Sequence, residues 1–162
     1  MKVISNTSPL TNLVAIGQFH LLHYLYFQIL IPQAVWDELN RNGKAWPGSQ
    51  EVASAHWIKI ETVQNRPLVI SLQRDLHAGE AEAITLAVEA KADLLLLDER
   101  EGRHAAQRQG IAVLGTIGVL LAAKAGGHIE RVRPYLDSLR HNAGFYMNQQ
   151  VYMQAIRLAD ES

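Results

Sequence analysis

No cysteine occurs in the 162 residues, which excludes disulfides and takes thiolate ligands out of any metal site. That absence fits a reducing compartment. Net charge is nearly missing as well: 15 Lys and Arg against 16 Asp and Glu leave -1 at pH 7. No global basic field draws the chain to phosphate, which weighs against a tight, nonspecific nucleic-acid binder. Long apolar runs are lacking too. The opening MKVISNTSPL has one Lys and a short β-branched run, not the stretch a signal peptide or membrane span needs. No membrane is expected, and the expected compartment is the cytoplasm. There is no repeat, low-complexity tract or linker. What remains, 48% hydrophobic and 19% charged, is an ordinary globular composition. The length suits one domain spanning 1–162 with a proper core.

Strands and helices then alternate. Lys2–Ser5 reads as a first strand on its β-branched Val3 and Ile4. Asn6, Thr7 and Ser8 are helix-capping types and Pro9 suits a first turn, so a helix is expected over Pro9–Ile16, stopped by Gly17. Phe19–Phe27, apolar on most sides, reads as a second, largely buried helix. A strand over Gln28–Ile31 meets Pro32, which opens the amphipathic helix PQAVWDELNR, running out at Asn42-Gly43. Val35 and Leu39 share its inner face. Gly43–Ser49 reads as a loop, Gln50–His56 as a short helix and Trp57–Val63 as a strand with Ile58 and Ile60 alternating against Lys59 and Glu61. Pro67–Leu76 is expected to be helical.

The stretch Leu76–Arg103 organises the rest. A helix carrying Glu80 and Glu82 near its start leads into Asp93–Leu97, whose unbroken leucines imply a strand covered on both faces. It reads as the central strand of the sheet. Asp98 leaves it at the carboxyl end, the edge where open α/β folds bind ligands. Beyond lie a helix over Arg100–Gln109, a strand over Ile111–Leu114 and a helix over Ile117–Ala125. Two more helices follow, Ile129–Arg140 and Gln149–Ala159. The alternation predicts an α/β domain with a mainly parallel sheet.

In such a sheet the carboxyl ends of neighbouring strands meet at one edge. Asn6, Asp98, Glu80 and Glu38 all fall near strand ends or the helices attached to them. Oxygen ligands gathered without sulfur suit a hard cation, Mg²⁺ or Mn²⁺. Clustered carboxylates without one raise each other's pKa. Each residue also has a plainer reading. Asp98 and Asn6 are good helix caps, Glu80 complements a helix dipole, and Glu38 is a solvated helix residue if Asp37 is the inward one. Gly115-Thr116-Ile117-Gly118 either cradles a phosphate or simply connects strand to helix. The seven histidines show no paired zinc spacing. A phospho-accepting receiver domain would need an acidic pair after the first strand, and Ser5-Asn6 supplies none.

The order of these pieces resembles PIN-domain proteins, in particular a prokaryotic group related to the VapC-type toxins of toxin–antitoxin pairs. Ser5-Asn6-Thr7-Ser8-Pro9-Leu10, Ile31-Pro32 through Glu38-Leu39, Gly79–Ile84, Leu97–Arg100 with Gly102-Arg103, and Gly115–Leu120 with Lys124 carry the likeness, over nearly the whole chain. The resemblance implies a three-layer α/β/α sandwich around a parallel sheet. It implies Mg²⁺- or Mn²⁺-dependent cleavage of RNA by an acidic cluster in which Asp98 and Glu80 hold the ion and Glu38 handles the attacking water. Asn6 completes the shell and Arg103 steadies the phosphate. It further implies a homodimer and a small antitoxin covering the groove, with Phe19–Phe27 and Ile117–Ala123 as candidate faces. Asn6 stands where catalytic members have their first Asp, and Leu96 where many have a hydroxyl residue. An amide oxygen can ligate a cation but brings no charge and no base. The alternative is therefore a non-catalytic module that binds RNA or a partner protein.

Overall fold

The computed structural model of the chain describes residues 1–41 and 47–162. The expected helix stop at Asn42-Gly43 and most of the Gly43–Ser49 loop lie outside the described residues. The elements run β1 (Val3–Ser5), α1 (Thr7–Ala15), α2 (His20–Tyr26), β2 (Ile29–Pro32), α3 (Gln33–Leu39), α4 (Ser49–Ser54), β3 (Ile58–Glu61), α5 (Arg66–Leu72), α6 (Ala78–Glu89), β4 (Leu94–Leu96), α7 (Arg100–Arg108), β5 (Val113–Leu114), α8 (Thr116–Ala125), α9 (Arg133–Asn142) and α10 (Gln149–Leu158).

All five strands are parallel, in the order β3-β2-β1-β4-β5. The register sets Ile4 beside Leu30 on one side and Leu95 on the other. Successive side chains on a strand point to opposite faces, and here they build two cores. Val3, Ile29, Ile31 and Leu96 join the cluster made with α1, α2, α3, α8, α9 and α10. Ile4, Leu30, Leu95 and Leu97 join the one made with α5, α6 and α7. That is a three-layer α/β/α sandwich.

The sequence expectation about the sheet's middle needs correcting. β1 is central, and the leucine-rich β4 lies next to it. A continuous apolar run reports cover on both faces, which every inner strand has, and says nothing of rank among them. The edge strand β3 is the counterpart: Ile60 alternates as expected yet stays 42% exposed, on a strand paired along one side alone.

Other boundaries moved for local reasons. α1 starts at Thr7 with Asn6 as its N-cap residue, not at Pro9. α3 ends at Leu39. α9 starts at Arg133, where Pro134 fits the first turn, rather than at Ile129. No helix among the described residues is long and apolar enough to cross a membrane.

The strand order reverses between β1 and β4. The chain steps outward from β1 through β2 to β3, then returns to β4 on the far side and on to β5. The crevice beyond the carboxyl ends of two such strands is where doubly wound sheets take ligands. Asn6 closes β1 there, its N–H donating to the Leu96 carbonyl at 2.9 Å, and Asp98 stands two residues past β4.

Candidate active site

Asp98 does not cap the helix that follows it; Glu99 occupies that position. Its carboxylate turns instead to the start of α8. Oδ1 accepts from the Thr116 backbone N–H at 2.7 Å, and Oδ2 from the Thr116 hydroxyl at 2.7 Å and the Asn12 amide at 3.3 Å. Burial pushes the Asp98 carboxyl above the ordinary range; the Thr116 N–H and hydroxyl, the Asn12 amide and the Arg103 guanidinium pull partly back. The Gly115–Gly118 turn thus donates to a protein carboxylate, the simpler of its two readings. Gly115 allows the approach: a Cβ there would lie 2.9 Å from Asp98 Oδ1 and 3.3 Å from an Arg103 guanidinium nitrogen.

Glu38 is the half-buried acid of its pair, and Asp37 is the exposed one, held by the Gln33 amide at 2.9 Å. Glu38 Oε2 accepts from the Thr7 hydroxyl. α6 reaches the same place from the other core. Glu80 accepts from the His77 backbone N–H at 3.3 Å, a capping bond that goes beyond the helix-dipole role expected for it. Its carboxyl is pushed up chiefly by burial, opposed by that N–H, with the neighbouring Glu99 and Glu38 charges adding to the rise. Two residues on, about 200° around the helix, Glu82 serves the scaffold. It accepts from the Ala34 N–H at 3.0 Å and pairs with Arg66 at 2.7 Å.

Asn6 stands at the carboxyl end of β1, the strand beside the one that Asp98 leaves. It is 4% exposed, makes no side-chain cap bond, and its Oδ1 is a buried acceptor without a hydrogen-bond partner among the described residues. Such an orphan is costly, of order 1–3 kcal/mol, and calls for a reason. The plain capping reading of Asn6 therefore fails for its side chain.

The structure brings Glu38, Glu80 and Glu99 near one another and gives Asp98 a separate set of partners in Thr116, Asn12 and Arg103. Among the described residues no three His, Cys, Asp or Glu side chains converge closely enough to hold an ion by themselves. The donor chemistry nonetheless fits a hard cation: oxygen only, a Glu80 carboxyl that burial pushes up, and one buried amide oxygen left open. Asn6, Glu38, Glu80 and Asp98 are the residues that could hold it.

With the geometry in place, the comparisons decide the family. A family model, DUF3368, described as a PIN domain, matches residues 2–161. The chain belongs to the PIN-domain family. A solved PilT N-terminus domain protein from the hyperthermophilic archaeon Sulfolobus solfataricus P2 is similar in fold, with a TM-score of 0.58 and 17% identity over 76% of this chain and 93% of that one. At that identity the likeness speaks for shared architecture alone. No curated protein matches.

Within this PIN domain four site neighbours escaped sequence reasoning: Thr7, Asn12, Glu99 and Thr116. α1 supplies two of them, Thr7 toward Glu38 and Asn12 toward Asp98, so one helix ties both halves of the crevice. The sequence signal was weak, because α1 also carries Ser8 and Thr11 and nothing sets Thr7 and Asn12 apart from them. Leu96 is fully buried in the larger core, and the hydroxyl beside Asp98 comes from Thr116. Lys124 binds the Ala159 carbonyl and Glu161, well away from the acids. Of the histidines, His23 stacks on Trp57 at 5.2 Å, while His77 lines a hollow with Thr7 and Glu38.

Proposed function

We propose that this PIN domain is an endoribonuclease of the VapC-like toxin type, hydrolysing RNA phosphodiester bonds with Mg²⁺ or Mn²⁺. The observation that carries the reading is the partnerless Asn6 Oδ1, buried at the switch point of the sheet among acids whose carboxyls are pushed up. Asp98, Glu80 and Asn6 would hold the cation. When bound, it neutralises phosphate charge and lowers the pKa of a coordinated water. Glu38, steadied by Thr7, takes the proton of the attacking water. Arg103 lines the crevice with Asp98, whose charge it partly offsets, and among the described residues it forms no close ion pair, which leaves its N–H groups able to reach a phosphate oxygen. The same family resemblance supports a homodimer restrained by a small antitoxin.

The test compares wild type with Asp98→Ala on a fluorescent single-stranded RNA in Mn²⁺. Cleavage by the wild type and at least a hundredfold loss in the variant are expected; equal rates would end the nuclease reading. A non-catalytic RNA- or protein-binding module is favoured by one fact, that Asn6 brings no charge. Calorimetric titration separates the two, since a module has no need to bind Mn²⁺.

A further inference from the structure

We propose that Tyr146 is the seat for one unpaired base of a single-stranded RNA, stacked at the mouth of a groove that opens on Asp98. The inference deepens the nuclease reading and takes the polymer from it. The groove, of about 360 Å³, is lined by residues of α8 and α10, among them the apolar Ile117, Leu121 and Val151, and by Asp98 and Arg103. Phe145 and Tyr146 line it, and the same two residues line a neighbouring hollow that also reaches Asp98 together with Arg100.

Tyr146 is 86% exposed, yet its backbone is pinned on both sides. The Phe145 N–H donates to the Leu139 carbonyl at 2.9 Å, and Phe145 packs against the larger core. Met147 is buried, its carbonyl accepts from Arg140 at 3.4 Å, and Asn148 caps α10 through the Val151 N–H at 2.8 Å. A large aromatic ring held out on a fixed segment has its ordering cost already met by its neighbours, which favours binding. An aromatic face offers stacking to any base, and unpaired bases are what RNA presents that a duplex does not. Charge selects the occupant. Among the described residues neither Arg100 nor Arg103 is in an ion pair, and both line the hollows beside this ring, where a phosphate joined to the stacked base would need cations.

The experiment measures fluorescence anisotropy of a labelled single-stranded oligoadenylate at low ionic strength, against wild type, Tyr146→Ala and Tyr146→Phe. Tyr146→Ala is expected to weaken binding about tenfold while Tyr146→Phe keeps it, because the ring and not the hydroxyl stacks. An abasic residue in the oligonucleotide should cost the wild type as much and Tyr146→Ala little. Equal affinities for all three proteins, or no binding, overturn the proposal. So does a Tyr146→Ala protein that loses self-association and keeps its RNA affinity, which would make this face a contact between copies. RNA bound through Tyr146 but never cut in Mn²⁺ leaves the seat standing and removes the nuclease. RNA cut with an unchanged KM by Tyr146→Ala does the reverse.

Discussion

A β-carbon on Gly79 would lie 2.5 Å from Glu38 Oε1. Only hydrogen in that place lets α6 and α3 bring Glu80 and Glu38 into one crevice. Gly79→Ala should therefore separate stability from function. Alanine is the better helix former by about 1 kcal/mol, and the atom it strikes is the end of a flexible side chain that can swing aside. Thermal unfolding is expected to move little, while RNA cleavage falls at least tenfold as Glu38 leaves Thr7. Unchanged cleavage would mean that Glu38 has no part in handling the attacking water.

Asn6→Asp tests the departure at the end of β1. The new carboxylate would sit where the amide oxygen now has no partner, in a position only 4% exposed. A buried charge without a counter-ion should destabilise the metal-free protein by roughly 2–4 kcal/mol near neutral pH. Mn²⁺ should restore most of that loss and bind at least tenfold more tightly than to the wild type. Melting curves with and without Mn²⁺ measure both effects. A variant equally destabilised in either condition would take Asn6 out of the cation site.

Much of the fold is legible in the sequence, and what is not has physical causes. Alternating strands and helices gave the layers, because the pattern reflects burial that local sequence records. The Leu94–Leu96 run could not reveal that β1 outranks β4, since strand order follows from crossovers between distant segments. Glu80 and Glu82 are both buried, 6% and 8% exposed, and their spacing alone says that they face apart. Which of them meets Glu38 depends on where α3 packs. Asp98 illustrates the same limit: its partners Thr116 and Asn12 lie 18 and 86 residues away, and no local signal joins them.

Asp98 also sets a pH dependence. Burial first of all raises its folded-state carboxyl pKa, and the donors around it only partly offset that. A folded state that holds its proton longer than the unfolded chain is favoured below the ordinary carboxylate range. That advantage is lost as pH rises through the raised folded value. Asp98→Asn removes the penalty of the buried charge and keeps the shape, with the Thr116 hydroxyl and Asn12 amide free to reorient. The variant is expected to melt about 2–4 °C above the wild type at pH 7–8, with the difference closing toward pH 4. A constant difference across that range would mean that the ionised carboxyl is not the source.

Glu161 should behave in the opposite sense. Burial disfavours its ionised form, but the N–H groups of Val132 and Arg133, at 2.6 and 3.1 Å, and Lys124 at 3.0 Å outweigh it, so its pKa is lowered. A depressed folded pKa gives stability that is present above the ordinary glutamate range and lost as pH falls through the lowered value. Those bonds tie the chain beyond α10 to the start of α9, so the effect is one of anchoring rather than of chemistry at the crevice. Glu161→Gln keeps the size and loses the charge on three donors, which should cost roughly 1–3 kcal/mol at pH 7. The loss should shrink toward zero in acid, where the wild type is protonated too. RNA cleavage per folded molecule should not change, because the carboxylate touches neither Glu38, Glu80 nor Asp98. A cleavage defect at full folding would place the site under the control of the α9–α10 layer and end the separation of anchoring from chemistry.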